Sequence, residues 1–83
     1  MSEVQAYPQE AIKCAASELA CAPARVTYIS RRWSGSVYHD GSQDCIFEFQ
    51  AEGGMVQEVI QYHDGDIRPY GFARQAAKGA NYA

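Results

Sequence analysis

The tetrapeptide Tyr-His-Asp-Gly occurs twice in the chain, at residues 38–41 and 62–65, and these two quartets contain both histidines. Imidazole and carboxylate groups bind zinc and iron, and a metal with an open coordination position activates water. Without a metal, a His-Asp pair can act as a general base. Asp-Gly is also one of the commonest turn sequences. The turn is the simpler interpretation, so we predict neither a metal nor another cofactor at the quartets.

The three cysteines, Cys14, Cys21 and Cys45, are the other side chains with potential chemistry. Their odd number and the lack of a Cys-x-x-Cys spacing fit neither a disulfide scaffold nor a zinc knuckle, which favours reduced thiols in a cytoplasm. Cys45 would be a nucleophile if a histidine lay within hydrogen-bond distance. Its place in an apolar segment indicates instead a buried thiol with a raised pKa. The sequence therefore predicts no catalytic residues and favours a noncatalytic protein over an enzyme.

The charge and composition of the chain argue against two classes of partner. Seven Lys and Arg against ten Asp and Glu give a net charge of -3, which is not the basic footprint of a nucleic-acid-binding protein. No segment approaches the about 18 apolar residues of a membrane span. The first residues also lack the basic and apolar regions of a signal peptide. We expect one soluble, cytoplasmic domain over residues 1–83, with neither nucleic acid nor membrane as a partner.

Local patterns predict the elements that position these residues. Residues 8–22 carry Ile12 and Leu19 seven positions apart among alanines, which indicates a helix with a narrow apolar stripe. Residues 25–33 are rich in β-branched and aromatic side chains, which predicts a first strand. Residues 34–43 carry glycines, serines and an Asp-Gly pair, which is typical of a long loop with room for one short strand.

A hairpin follows, because two strand-like segments, 44–51 and 55–63, flank the glycine pair at 53–54. Gly-Gly supplies the positive φ angles of a two-residue turn. That turn pairs Phe47 with Ile60 and puts both in the core, with like residues facing like.

The same register places Glu58 opposite Phe49, on the otherwise apolar face of the hairpin. A carboxylate there is costly unless it is solvated, paired or hydrogen-bonded. We expect Glu58 either to reach water at an open edge or to pair with Arg32 or Arg25, and its functional interpretation is the acid of a pocket.

The C-terminal segment, residues 66–83, contains Pro69 and Gly71 and then an alanine-rich run with Phe72 at helical spacing, which predicts a short second helix. The expected fold is therefore α+β. An N-terminal helix packs on a three-stranded antiparallel meander, and a short C-terminal helix follows, in the order α-β-β-β-α.

In such a meander, both quartets and the end of the first strand lie at one end of the sheet. A pocket there would draw on the aromatic, imidazole and carboxyl groups of the quartets and their neighbours. The pocket candidates are Trp33, Tyr38, His39, Asp40, Glu58, Tyr62, His63 and Asp64.

The other sheet face carries more apolar residues than a solvated face needs, and the first strand adds aromatic and arginine side chains of the types that dominate interfaces. The interface candidates are Ile29, Arg31, Trp33, Ile46, Met55 and Val59. We therefore expect a noncatalytic protein-interaction module that binds itself or another protein, most simply as a homodimer, for example an accessory, inhibitor or immunity-type binder. The alternative is a small-molecule-binding protein or small metal-dependent enzyme with a pocket at the quartet end.

Overall fold

A computed structural model describes residues 7–76 of the chain. They form one α-helix, a short 3₁₀ helix and a four-stranded antiparallel sheet in the order β1-β2-β3-β4. The elements are α1 (Gln9–Leu19), the 3₁₀ helix (Pro23–Arg25), β1 (Val26–Val37), β2 (Gln43–Ala51), β3 (Met55–Gln61) and β4 (Ile67–Gln75). The α+β class is confirmed. The expected three-stranded meander is wrong, because residues 7–76 form four strands, and the described part of the segment expected to form a C-terminal helix contains the strand β4. Within residues 7–76, no helix has the length and apolarity needed to cross a membrane.

The helix α1 forms where the periodicity predicts it, but it ends at Leu19, before the expected residue 22. Ala20 takes a left-handed conformation with φ 58°, and the Cys21 N–H closes the last turn on the Ala16 carbonyl at 3.0 Å. The buried stripe of α1 consists largely of alanines, which let the helix approach the sheet closely. The helix lies mainly over β3 and β4.

The core lies between α1 and one face of the sheet, here called the helix side. Phe47 and Phe49 of β2 are both buried there, as the sequence predicts, together with Val59 of β3. The Tyr7 ring packs on them from the start of the helix, with its centroid 5.3 Å from that of Phe49. The quartet end of β1 and β2 lies farther from the helix.

The predicted register of the β2–β3 hairpin is wrong by one residue. Phe47 pairs with Val59, and Ile60 pairs with Ile46. Of the two glycines in the turn, Gly54 alone has a positive φ, 100°, so the connection is a three-residue loop rather than the two-residue turn that needs both. A one-residue shift turns every side chain of β3 to the other face. Ile60 is therefore buried on the opposite face from Phe47.

The strand β1 is longer than predicted, because it continues through the expected loop to Val37, which pairs with Gln43. The pairing with β2 is interrupted between Tyr28 and Ser30 and again between Trp33 and Val37. Gly35, with φ 96°, supplies the second irregularity. β1 is thus an edge strand with two bulges.

The segment expected to form a second helix is the other edge strand, β4, as far as Gln75. Pro69 fits an edge strand, where a missing N–H is tolerated, and the pairing with β3 is interrupted between Val56 and Glu58. Phe72 and Ala73, the start of the spacing that suggested a helix, are residues of this strand, and Ala76 follows it directly. The part of that prediction on residues 77–83 lies outside the described residues.

The sheet face away from α1, the outer face, is built from rows of paired residues. One row runs Arg32, Ile46, Ile60 and Arg68 across the four strands. Ile46 and Ile60 are buried between the two arginines, whose aliphatic stems can cover apolar neighbours.

The next row of the outer face places Glu48 directly opposite Glu58, an unfavourable pair of like charges. Two arginines offset it. Arg32 makes two hydrogen bonds to Glu58, at 2.8 and 3.2 Å, and Arg74 lies 3.3 Å from Glu48 and 3.7 Å from Glu58. Glu58 therefore pairs with Arg32, which was one of the expected alternatives. Its place is the middle of the outer face, not the apolar face of the hairpin.

Candidate functional site

The two quartets are the same turn used twice. In each, the glycine N–H donates to the carbonyl of the tyrosine three residues earlier, Gly41 to Tyr38 at 2.9 Å and Gly65 to Tyr62 at 2.8 Å. Both glycines have a positive φ, 89° and 97°. This is a three-residue hairpin loop with a left-handed glycine, and the Gly54 turn at the other end of the sheet has the same form.

The quartet aspartates serve the turns. Asp40 Oδ1 accepts hydrogen bonds from the Ser42 hydroxyl at 2.6 Å and the Ser42 N–H at 3.0 Å, which together lower the pKa of Asp40. Asp64 Oδ1 accepts the Asp66 N–H at 3.0 Å. Among residues 7–76, no three His, Cys, Asp or Glu side chains converge in a way that could hold a metal ion. The repeated sequence is explained by turn geometry.

The two quartets nevertheless meet, because β1–β2 and β3–β4 turn at the same end of the meander. The meeting point is Asp44 of β2, which is buried. Its carboxylate accepts the Tyr38 hydroxyl at 2.9 Å and the His63 backbone N–H at 2.9 Å. The Tyr38 and His63 rings stack with centroids 3.8 Å apart. The hydrogen bond to Asp44 raises the pKa of Tyr38, so this hydroxyl is a structural donor rather than a base.

Its position just before the apolar part of β2 predicts Asp44 to lie near the quartets, although Asp44 is not one of the eight pocket candidates. The predicted pocket residues otherwise separate. His39 and the two quartet aspartates lie on exposed turns, and Glu58 lies on the outer face. Tyr38 and His63 are in contact, and Trp33, Tyr62 and His63 line one groove.

A groove opens beside this junction, on the helix side of the sheet. It has a volume of about 310 Å³ and is lined by Arg31, Trp33, Gln43, Cys45, Phe47 and Gln61, with Tyr62, His63 and Gly65 at its quartet end. We call it the Trp33 groove. It is lined by the three strands β1, β2 and β3 and by the β3–β4 turn, and α1, which lies mainly over β3 and β4, contributes no residue to it.

The groove combines an apolar floor with polar walls. Cys45 and Phe47 form the floor, and Trp33, which is 59% exposed, stands at the side. Burial raises the pKa of the Cys45 thiol, and the positive charge of Arg31 partly offsets that. The thiol is therefore protonated at neutral pH, which is unfavourable for nucleophilic catalysis.

A neighbouring depression of about 500 Å³ lies between α1 and the β3–β4 turn. Its lining combines charged side chains of both signs, Glu10, Lys13 and Asp66, with Cys14 and the large apolar side chain of Ile67. It is larger than the Trp33 groove, but it offers no exposed aromatic side chain. We regard the Trp33 groove as the better candidate.

The predicted interface residues are distributed unevenly. Ile46 is 2% exposed and Val59 is 0% exposed, so neither can reach a partner in this conformation. Met55 is half-buried at the far end of β3. The expectation of an apolar second face rested on the shifted register, which had put Val59 there.

Large exposed apolar side chains instead lie on both edge strands, with Tyr70 and Phe72 on β4 and three residues on β1. Ile29, Trp33 and Val37 are 45%, 59% and 63% exposed. Trp33 and Val37 pair with Cys45 and Gln43, so both point to the helix side, next to the groove. Arg31 pairs with Phe47 and lies on the same side.

Comparisons of the chain with protein-family models, curated proteins and solved structures gave no match. The function is therefore argued from the groove and its surroundings alone.

Proposed function

We propose that the protein is a noncatalytic protein-interaction module that binds its partner through the Trp33 groove and the adjoining side chains of β1. The observation that carries the proposal is the run of exposed Ile29, Trp33 and Val37 along one edge strand. The three residues are spaced four positions apart on β1, and large exposed apolar side chains grouped on one element of a small protein favour an interaction surface. Burying them stabilises a complex by about 25 cal/mol per Å² of apolar surface removed from water.

The polar residues around Trp33 support the same surface. Tryptophan and arginine are enriched among the residues that dominate interface energetics, and Arg31 adjoins Trp33 on the helix side. No ion pair links Arg31 to any residue of the described part of the chain. Its guanidinium is thus free to pair with a partner without first breaking a described contact.

A second copy of the chain is the simplest partner to propose. A domain of this size has a small core, so dimerisation through β1 would add buried apolar area and couple stability to concentration. We place the proposed contact at Ile29, Trp33 and Val37, because Ile46 and Val59, which the sequence assigned to one sheet face, are both buried.

Two exposed aromatics on opposite edges of the sheet make a matched test. Trp33→Ser removes the proposed anchor on β1, and Phe72→Ser removes a 97% exposed ring on β4. If the proposal holds, sedimentation shows a concentration-dependent dimer, or a purified partner binds, and Trp33→Ser weakens the complex while Phe72→Ser does not. Equal effects of the two substitutions would contradict the proposal.

A small-molecule-binding protein is the second candidate. Its support is the groove itself, whose volume of about 310 Å³ is near the lower limit for ligand sites and whose polar groups converge from three strands. Mass spectrometry of the protein released from native conditions would show a bound organic molecule that Trp33→Ser removes. We do not propose a metal-dependent enzyme, because no three metal-binding side chains come together within residues 7–76.

We also propose a cytoplasmic location. The three cysteines are free, which fits a reducing compartment. Thiol titration of denatured protein, purified without reductant from its natural host, should find three reactive thiols per chain. Fewer than three would indicate oxidation and speak against this location.

A further inference from the structure

The Trp33 groove differs in charge from the rest of the protein. The chain carries ten Asp and Glu and a net charge of -3, but the residues that line the groove include no carboxylate. They do include the cation Arg31, and also His63, whose ring nitrogen Nδ1 lies 3.8 Å from the Asp44 carboxylate. A negatively charged group is therefore attracted to the groove more than to most of this surface.

The carboxylates of Asp44 and Asp66, which are close to the groove in sequence, have partners of their own. Asp44 accepts hydrogen bonds from the Tyr38 hydroxyl and the His63 N–H, both at 2.9 Å. Asp66, in the depression beyond Gly65, pairs with Arg68 at 2.9 Å. Neither forms an ion pair with Arg31.

The remaining lining suits a peptide. Gln43 and Gln61 offer amide donors and acceptors of the kind that pair with a peptide backbone, above the apolar floor of Cys45 and Phe47. The exposed Trp33 ring can pack against an apolar side chain. Since β1 is bulged on both sides of residues 30–33, a ligand held by side chains fits better than a strand added to the sheet edge.

We infer that the Trp33 groove binds an acidic peptide segment of a partner protein, with a carboxylate on Arg31 and a neighbouring apolar side chain on Trp33. This inference rests on the proposed function and specifies the partner. The chemistry is a charge-assisted hydrogen bond between guanidinium and carboxylate beside an apolar contact.

Two model peptides test the inference, acetylated and amidated Ala-Glu-Phe-Ala and Ala-Gln-Phe-Ala. Trp33 is the one tryptophan of the chain, so its indole N–H gives a single NMR signal that reports binding directly. We expect the Glu peptide to shift this signal and the Gln peptide to bind about tenfold more weakly, because the charge-assisted bond is lost.

Substitutions in the protein complete the cycle. Arg31→Gln should reduce the affinity for the Glu peptide to that for the Gln peptide, and Arg31→Lys should restore part of it. Arg25→Gln removes the same charge at the other end of the sheet, where Arg25 pairs with Glu52 at 2.9 Å, and should leave both affinities unchanged. Circular dichroism of each variant checks that the fold is retained.

Three results would overturn the inference. Equal affinity for the two peptides would show that the carboxylate is not recognised. Binding of 3-phenylpropionate as tight as that of the Glu peptide would point to a small carboxylic acid as the occupant. Dimerisation that depends on Trp33 and is not inhibited by the Glu peptide would support the proposed function. It would rule out an acidic peptide segment as the occupant of the groove.

Discussion

The two faces of the sheet differ in how their apolar residues are shielded from water. On the outer face, Ile46 and Ile60 are buried although no described helix covers them, because Arg32 and Arg68 flank them in the same row. On the helix side, at the quartet end, the neighbouring row begins with Trp33, which remains 59% exposed. The apolar pair Ile46 and Ile60 of the outer face is thus covered within one chain, whereas the Trp33 groove has an open apolar surface that a partner can cover.

The largest expected effect separates stability from binding. Ile46→Ala should lower the free energy of unfolding by about 2–5 kcal/mol, because it empties a buried site. Trp33→Ser should change it by less than about 1 kcal/mol, because the ring is largely in water. Urea denaturation of the two variants measures both values. A large loss of stability in Trp33→Ser would mean that Trp33 completes the fold rather than a contact surface.

Two adjacent arginines sharpen the comparison. Arg32→Gln breaks the pair with Glu58 on the outer face and should cost about 1 kcal/mol, at the upper end for exposed pairs because Glu58 is mostly buried. Arg31→Gln, on the helix side, removes no described ion pair and should be close to neutral for stability while weakening partner binding. The same denaturation series measures the difference. Equal losses for both variants would contradict the distinction between the faces.

The smallest effect concerns salt. At about 1 M ionic strength the screening length falls to about 3 Å, so the stability difference between the wild type and Arg32→Gln should shrink by a few tenths of a kcal/mol. The difference between the wild type and Ile46→Ala should not change, because it reflects packing. Denaturation midpoints at low and high NaCl test this. A salt-independent Arg32 effect would mean that the arginine acts through its apolar stem.

The sequence predicted the elements where one local signal was strong. The alanine-rich helix and the buried Phe47 and Phe49 followed from periodicity. The hairpin register did not, because Gly53 and Gly54 fit both a two-residue turn and a three-residue loop, and the choice between them is one φ angle. That angle decided which faces Glu58 and Val59 occupy, and therefore the predicted interface.

Other features depended on tertiary context. Phe72 and Ala73, which begin the spacing that indicates a helix in isolation, lie in β4, where pairing with β3 overrides local preference. The quartets suggested a pocket, and their turn geometry was foreseeable from Asp-Gly. The Trp33 groove was not foreseeable, because it depends on which strands α1 packs against. No local sequence pattern specifies that packing.

The most direct test of the central claim is site-specific photo-crosslinking in cells that produce the protein. Benzoylphenylalanine replaces Val37 on β1 in one variant and Phe72 on β4 in another, two exposed positions on opposite edges of the sheet. The account predicts a defined crosslinked protein, either a second copy or another chain, from position 37 and not from position 72. Adding Trp33→Ser should abolish that crosslink. Equal crosslinking from both positions, or a crosslink from position 37 that survives Trp33→Ser, would contradict the claim that the Trp33 groove and β1 form the contact surface.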